Sequence, residues 1–323
     1  DGTPRYPNPG YPANPIYPPA APDMGAAEFA GIPLDLTPPS ILFNPLEKTS
    51  STSERTLTAT IADASGVPVA GLGLPVLYWK KFAAGSWNAA TAVWVGGNTY
   101  NFTFGSGVIT NDSIYYYIVA QDLATPDLNV GATPSNVSGY TTMPPACSVP
   151  PPNASCYSYK IVGTLCGNIR IGTGETYTTI TAAVNDLNNM EVTCPIVFLL
   201  TDATYPSETF PLVITNPTGV NETNTVTFRP APGVMPTIAG SGTAVFKFIQ
   251  AGFITIDGSN SEGTDRSLTI SNTISSGTTT VIWIGSNGTG MGSANNVIKN
   301  CIISNGYATT TSYGVFIGSS TTL

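Results

Sequence analysis

The chain has 323 residues and a mass of 33.5 kDa, long enough for two ordinary domains with separate cores. Hydrophobic residues make up 41% and charged residues only 9%, so solubility falls to Ser, Thr, Asn and Gly, the balance of a secreted β-protein rather than a cytosolic helical enzyme. A net charge of -8 leaves no basic face for nucleic acid or anionic lipid, and the absence of histidine closes Ser-His-Asp and Cys-His catalysis and removes the commonest zinc ligand.

Residues 1–36 form a proline-rich arm, with Tyr6-Pro7-Asn8-Pro9-Gly10-Tyr11-Pro12 followed by Pro15-Ile16-Tyr17-Pro18-Pro19. Such a run favours extended polyproline II and excludes helix interiors and central strands. It reads either as a solvated linker or as an assembly arm that lays Tyr6, Tyr11 and Tyr17 on a neighbouring domain or subunit. The chain opens at Asp1 without an initiator Met, as after removal of a signal peptide or excision of a fragment. No apolar run, Ile196 to Leu200 included, is long enough to insert in a bilayer.

Residues 37–142 show short alternating runs broken by turns, the grammar of a β-sandwich. Leu57, Ala59 and Ile61 alternate with threonines, Leu77 to Lys80 is a strand, Tyr100 to Phe104 alternates again, and Ile114 to Ala120 is the strongest strand. Tyr115, Tyr116 and Tyr117 resemble the late strand of Ig and fibronectin III sandwiches, where one hydroxyl bonds back to a connecting loop. Residues 143–158, with Pro144-Pro145 and Pro150-Pro151-Pro152, read as a stiff linker.

From 159 to 323 the expected fold is a parallel β-helix. Tyr177 to Asn188 is the one convincing helix, with Thr178 or Thr179 as N-cap and a stripe of Ile180, Ala183, Val184 and Leu187, suited to cover the open end of the first coil. An internal repeat follows: Leu268-Thr269-Ile270-Ser271-Asn272 recurs as Cys301-Ile302-Ile303-Ser304-Asn305, and Val281-Ile282-Trp283-Ile284-Gly285-Ser286 as Gly314-Val315-Phe316-Ile317-Gly318-Ser319, at one offset. With no cap before Leu323, further coils are expected beyond it.

Five cysteines leave at least one unpaired. Cys166 with Cys194, which bracket the helix, and Cys147 with Cys156, which bracket prolines, are the disulfide candidates, and Cys301 reads as a small buried hydrophobe. On the coils, Asp257, Glu262 and Asp265 form the one acidic cluster, beside Arg266. It reads as turn chemistry plus an Asp265–Arg266 ion pair in preference to a catalytic set. As a Ca²⁺ site it needs Asn260 and backbone carbonyls to complete the ligands, and no other cofactor is expected. Six Asn-x-Ser/Thr sequons occur, at Asn101, Asn111, Asn136, Asn153, Asn221 and Asn287, in a composition that produces them by chance. Trp87, Trp94 and Trp283 are candidates to stack on sugars, with a core role as the alternative for each.

Three segments together carry a resemblance: Arg55 to Asp63 with Gly73 to Trp79, Tyr116 to Asp122, and Ile254 to Asn260 with Asp265 to Ile270. Over residues 37–323 the chain resembles large secreted surface proteins of Bacteroidetes-type bacteria, in which an Ig-like module precedes a right-handed parallel β-helix. The resemblance implies type IX secretion, an extracellular or cell-surface location and adhesin-like work; the sorting domain that usually ends proteins of that group is not expected within residues 37–323, so the export route is implied by likeness alone. Asp112-Ser113-Ile114 resembles the short O-glycosylation motif of such bacteria, with Ser113 as acceptor and an ordinary strand entry as the alternative. The function expected is non-catalytic: a structural or adhesive protein whose partners are its own copies, as in a filament, or a cell-surface glycan. A carbohydrate-binding module and a β-helix polysaccharide lyase are the alternatives.

Overall fold

The computed structural model describes residues 35–125, 127–134, 156–275, 277–306 and 311–323; Tyr6, Tyr11, Tyr17 and Cys147 lie outside the described residues. The fold is nearly all β, with one α-helix among the described residues.

Nine strands come first: β1 (Ser40–Leu42), β2 (Arg55–Ala62), β3 (Val76–Lys81), β4 (Asn88–Thr91), β5 (Val93–Gly96), β6 (Thr99–Phe104), β7 (Ser113–Gln121), β8 (Val130–Thr133) and β9 (Tyr157–Lys160). They build two antiparallel sheets, β1-β2-β6-β5 and β4-β3-β7-β8, with β9 also on β7. Strand alternation decides the packing. Leu57, Ala59 and Ile61 of β2 and Tyr100, Phe102 and Phe104 of β6 share one buried core with Leu77 and Trp79 of β3 and Ile114, Tyr116 and Ile118 of β7. Buried tyrosine hydroxyls find partners. Tyr116 Oη on β7 accepts the Leu46 N–H at 2.9 Å, bonding back to the segment that connects β1 and β2, and Tyr100 Oη on β6 donates toward the Val67 and Pro68 carbonyls at 3.3 and 3.2 Å.

The antiparallel part runs past the expected boundary. β9 lies beside the first half of β7, with Tyr116 opposite Tyr157 and Ser113 opposite Lys160, while β8 pairs with the second half. Tyr157 and Tyr159 alternate into the aromatic core around Phe104 and Tyr116, so apolar burial draws this segment into the sheet and moves the boundary beyond Lys160. At residues 161–163 the chain passes directly into the solenoid. Thr49 bridges Ile161, Thr49 Oγ1 and Ser50 N–H donate to Glu191, and the Lys48 ammonium donates to the Asn188 carbonyl.

A parallel β-solenoid of about four turns follows. Its elements are β10 (Thr164–Ile171), α1 (Ile180–Asn189), β11 (Glu191–Leu200), β12 (Leu212–Thr215), β13 (Val226–Pro230), β14 (Thr237–Gly240), β15 (Phe246–Ile249), β16 (Ile254–Asp257), β17 (Leu268–Asn272), β18 (Thr279–Ser286), β19 (Val297–Lys299), β20 (Cys301–Asn305) and β21 (Ser312–Ser319). They line three parallel sheets, β10-β11-β13-β16-β19, β12-β15-β18-β21 and β14-β17-β20. The sequence repeat aligns with strand register: Leu268 pairs with Cys301, Asn272 with Asn305, Trp283 with Phe316 and Gly285 with Gly318. Inward side chains stack down the axis, Phe198 on Phe228 with ring centroids 4.8 Å apart. Asn272 is buried at a corner and donates to the Gly242 and Thr280 carbonyls at 2.8 Å each; Asn305 repeats the arrangement on the Thr279 and Tyr313 carbonyls.

Thr179 is the helix N-cap, its hydroxyl accepting the Ala182 N–H at 3.1 Å, and Ile180, Ala183, Val184 and Leu187 face the solenoid core. The Glu208 carboxylate, from the loop between β11 and β12, takes the Ile180 and Thr181 N–H groups at 2.7 and 2.6 Å. A negative group there satisfies two free donors and suits the helix dipole. A disulfide joins Cys166 to Cys194 across the helix. Among the described residues no helix is long and apolar enough to cross a membrane.

Candidate functional site

The acidic loop on the coils is a corner already filled by protein donors. Asp265 accepts the Ser259 and Ser267 hydroxyls at 2.6 Å each, the Asn260 N–H at 3.0 Å and the Ser261 hydroxyl. The Ser259, Ser261 and Ser267 hydroxyls, with that N–H, hold its carboxyl far below the usual carboxylate range. The ion pair expected between Asp265 and Arg266 does not form, because these neutral donors occupy both carboxylate oxygens. Glu262 turns instead to Arg229 at 2.7 Å, and Asp257 to the Lys299 ammonium at 3.1 Å. Burial pushes Asp257 up, but the Asn300 amide, the Ser259 N–H and Lys299 outweigh it and leave its carboxyl lowered. The Asn260 amide donates to the Val234 carbonyl at 2.9 Å. The four candidate Ca²⁺ ligands are thus directed at protein partners rather than at a common point, for a local reason: serines at 259, 261 and 267 wrap one carboxylate.

The sign of the Asp265 shift gives a test. Its carboxylate stabilises the fold fully above the ordinary value of 3.8 and progressively less as pH falls through the lowered folded value. Asp265→Asn is expected to be less stable than the parent at pH 7, with a gap that closes on acidification below about pH 4. Denaturant titrations across pH 2–7 measure it; a gap constant with pH would show that the carboxylate's charge is not the source.

A second acidic group lies elsewhere. Asp35, Asp63 and Asp122 bring carboxylate oxygens within 4.8 Å of one another beside the antiparallel sheets. Asp63 is raised by burial and by the charges of Asp35 and Asp122, while the Ser65 hydroxyl and the Thr37 N–H lower Asp35. Asp122 accepts the Asn129 N–H at 2.8 Å and its side-chain amide at 2.7 Å. A shared proton or a hard cation relieves such a convergence. The sequence carries no signal for it, since the three residues are brought together by the sheets alone.

The remaining candidates separate by exposure. Trp283 is buried on β18, its Nε1–H donating to the Ser319 carbonyl at 2.8 Å and its ring under the Lys247 ammonium at 3.8 Å. Trp94 is 43% exposed on the edge strand β5, with its Nε1–H on the Gly97 carbonyl at 2.9 Å. Ser113 is half-buried at the first residue of β7 and lines a cleft of about 450 Å³ at the junction with the solenoid, together with Tyr115, Glu47, Lys48 and Lys160. Cys301 is half-buried on β20, and burial, with the Asp257 charge, pushes its thiol up to about 11. Among the described residues Cys156 carries a free thiol, raised by burial.

The outer face of the sheet β4-β3-β7-β8 holds a second apolar cluster. Tyr78 stacks on Tyr117 at 5.1 Å and 27°, Trp87 meets Tyr117 edge-on at 4.9 Å, and the Lys80 ammonium sits 4.5 Å over Trp87. Val76, Tyr78, Tyr117 and Val119 are buried there, with Trp87, Val130, Ala132 and Cys156 packed around them. No protein-family model matches this chain, and no curated protein matches it. What it does has to be read from these surfaces. The sequence shows Tyr78 and Tyr117 as strand residues, but only the pairing of β3 with β7 brings them together on the face away from the main core.

Proposed function

We propose that this chain is a non-catalytic structural or adhesive protein of the cell surface or extracellular space, built to assemble with copies of itself through its proline-rich arm. In this reading the antiparallel sheets are an Ig-like or fibronectin III-like module, the solenoid is a right-handed β-helix, and the whole resembles the secreted surface proteins of Bacteroidetes-type bacteria. The observation that carries the reading is the junction. β9 belongs to the antiparallel sheet, the chain enters β10 three residues later, and Lys48, Thr49 and Ser50 are bonded to α1 and β11. A module coupled to a stack of coils by main-chain and side-chain bonds transmits strain along one axis, which suits a stalk or fibre subunit. A head-to-tail contact by an arm need not close into a ring and so yields a filament.

Electron microscopy of the full chain and of a variant lacking residues 1–34 tests this. Fibres with a constant axial repeat, lost on deletion, are expected. Separate rods from the full chain overturn self-assembly and leave the adhesive reading, with the junction cleft around Tyr115 as the surface to screen against glycans.

A further inference from the structure

The junction between the antiparallel sheets and the solenoid holds a cleft of about 450 Å³, a volume within the range of small-ligand sites, about 300–1,000 Å³. Strand pairing sets its floor. Ser113 lies opposite Lys160 and Tyr115 opposite Ser158, so these four side chains share one face of β7 and β9, while Ile114, Tyr116 and Tyr159 enter the main core. The Thr49–Ile161 bridge lays Leu46, Glu47 and Lys48 along the other edge of β9. On the solenoid side the lining comes from Asn216 and Thr218, in the loop after β12. That loop is tied at both residues: the Asn216 N–H donates to the Ile249 carbonyl at 3.2 Å, and the Thr218 carbonyl accepts the Val192 N–H at 2.9 Å. Walls fixed in this way lower the ordering cost of binding.

Polar groups at the coil corners are spent on protein partners, Asp265 on serine hydroxyls and Asn272 and Asn305 on carbonyls. In the cleft they are not. The side chains of Ser113, Tyr115, Ser158, Lys160, Asn216 and Thr218 make no hydrogen bond or ion pair among the described residues, and Tyr115 meets no other ring there. Lys48 also lines the cleft, with its ammonium on the Asn188 carbonyl, and Glu47 is exposed beside it. Two ammonium groups against one carboxylate make the cleft locally positive on a chain whose net charge is -8. They are too few for nucleic acid, which takes a basic stripe. They suit a small anion rich in hydroxyls. Lys160 offers a point charge for a carboxylate, the Ser, Thr and Asn groups match sugar hydroxyls, and the half-exposed Tyr115 offers a flat apolar ring with a polar tip.

We propose that this junction cleft binds an acidic oligosaccharide, with a uronate carboxylate on Lys160 and a sugar ring against Tyr115. The inference rests on the adhesive side of the reading above and names its ligand class.

Ligand-observed NMR titration of the full chain compares cellotriose with the trimer in which each hydroxymethyl group of cellotriose is replaced by a carboxylate. The acidic trimer is expected to bind roughly tenfold or more tightly, the effect of one charge-assisted hydrogen bond. Lys160→Gln is expected to erase that preference and leave cellotriose binding unchanged, which also shows that the variant is folded. Tyr115→Ala is expected to weaken both trimers. Equal binding of the two trimers to the parent overturns the acidic ligand class. Binding that ignores both substitutions overturns the cleft as the site while the adhesive reading stands. No binding of either trimer overturns the proposal outright, and microscopy then shows independently whether fibres, and with them the self-assembly reading, survive.

Discussion

Phe228→Ala lowers the stability of the solenoid by about 3–5 kcal/mol, the range for truncating a buried aromatic ring. Phe228 is almost wholly buried at the centre of β13, stacked on Phe198 of the coil before it and edge-on to Phe246 of the neighbouring sheet, with centroids 5.9 Å apart. In a solenoid each coil is held by its neighbours, so a cavity there weakens the coupling between the coils on either side more than it weakens either coil. Native-state hydrogen exchange is the suitable readout: β10 and β11 are expected to lose protection while β17 and β18 keep theirs. Phe228→Leu, which retains most of the volume, is expected to recover the greater part. A loss below about 1 kcal/mol in Phe228→Ala would mean that the stack relaxes around the gap and is not the coupling element.

The same stacking explains why the solenoid was legible in the sequence. Parallel in-register coils place like residues over like, so Asn272 over Asn305 and Gly285 over Gly318 leave a visible repeat. The helix was legible from a period of 3.6 and an N-cap, both local properties. Contacts made by distant segments were not. β9 follows a proline-rich stretch that argues against a strand, and only the apolar groove beside Tyr116 recruits Tyr157 and Tyr159. The Asp265–Arg266 pair failed for a related reason, since adjacent opposite charges suggest an ion pair while serines two, four and six residues away reach the carboxylate first. Asp35, Asp63 and Asp122 meet only through sheet topology. The aromatic outer face was half legible: alternation puts Tyr117 and Val119 on one side of β7, but the pairing that adds Tyr78 and Val76 is a long-range event.

Replacing Cys166 and Cys194 by serine costs roughly 3–4 kcal/mol, from the chain entropy released when a closed loop of this length opens. The separation is 28 residues, and the loop contains α1. Two local features raise its importance. β10 is the first strand of its sheet and, apart from a bridge of Ile171 to Tyr177, pairs among the described strands with β11, and its ladder loses register between Leu165 and Gly167, where Cys166 lies. The covalent bond therefore spans the point at which main-chain pairing is interrupted. Its loss should first free β10 and α1, and through Glu191, on the same strand as Cys194, loosen the bonds to Thr49 and Ser50 that tie the antiparallel sheets to the solenoid. Hydrogen exchange on the double serine variant is expected to show faster exchange in β10, α1 and the Thr49–Ile161 bridge, with β17 to β21 unchanged. Uniform loss along all the coils would instead make the disulfide a global stabiliser, and an unchanged bridge would show that the junction holds without the first coil.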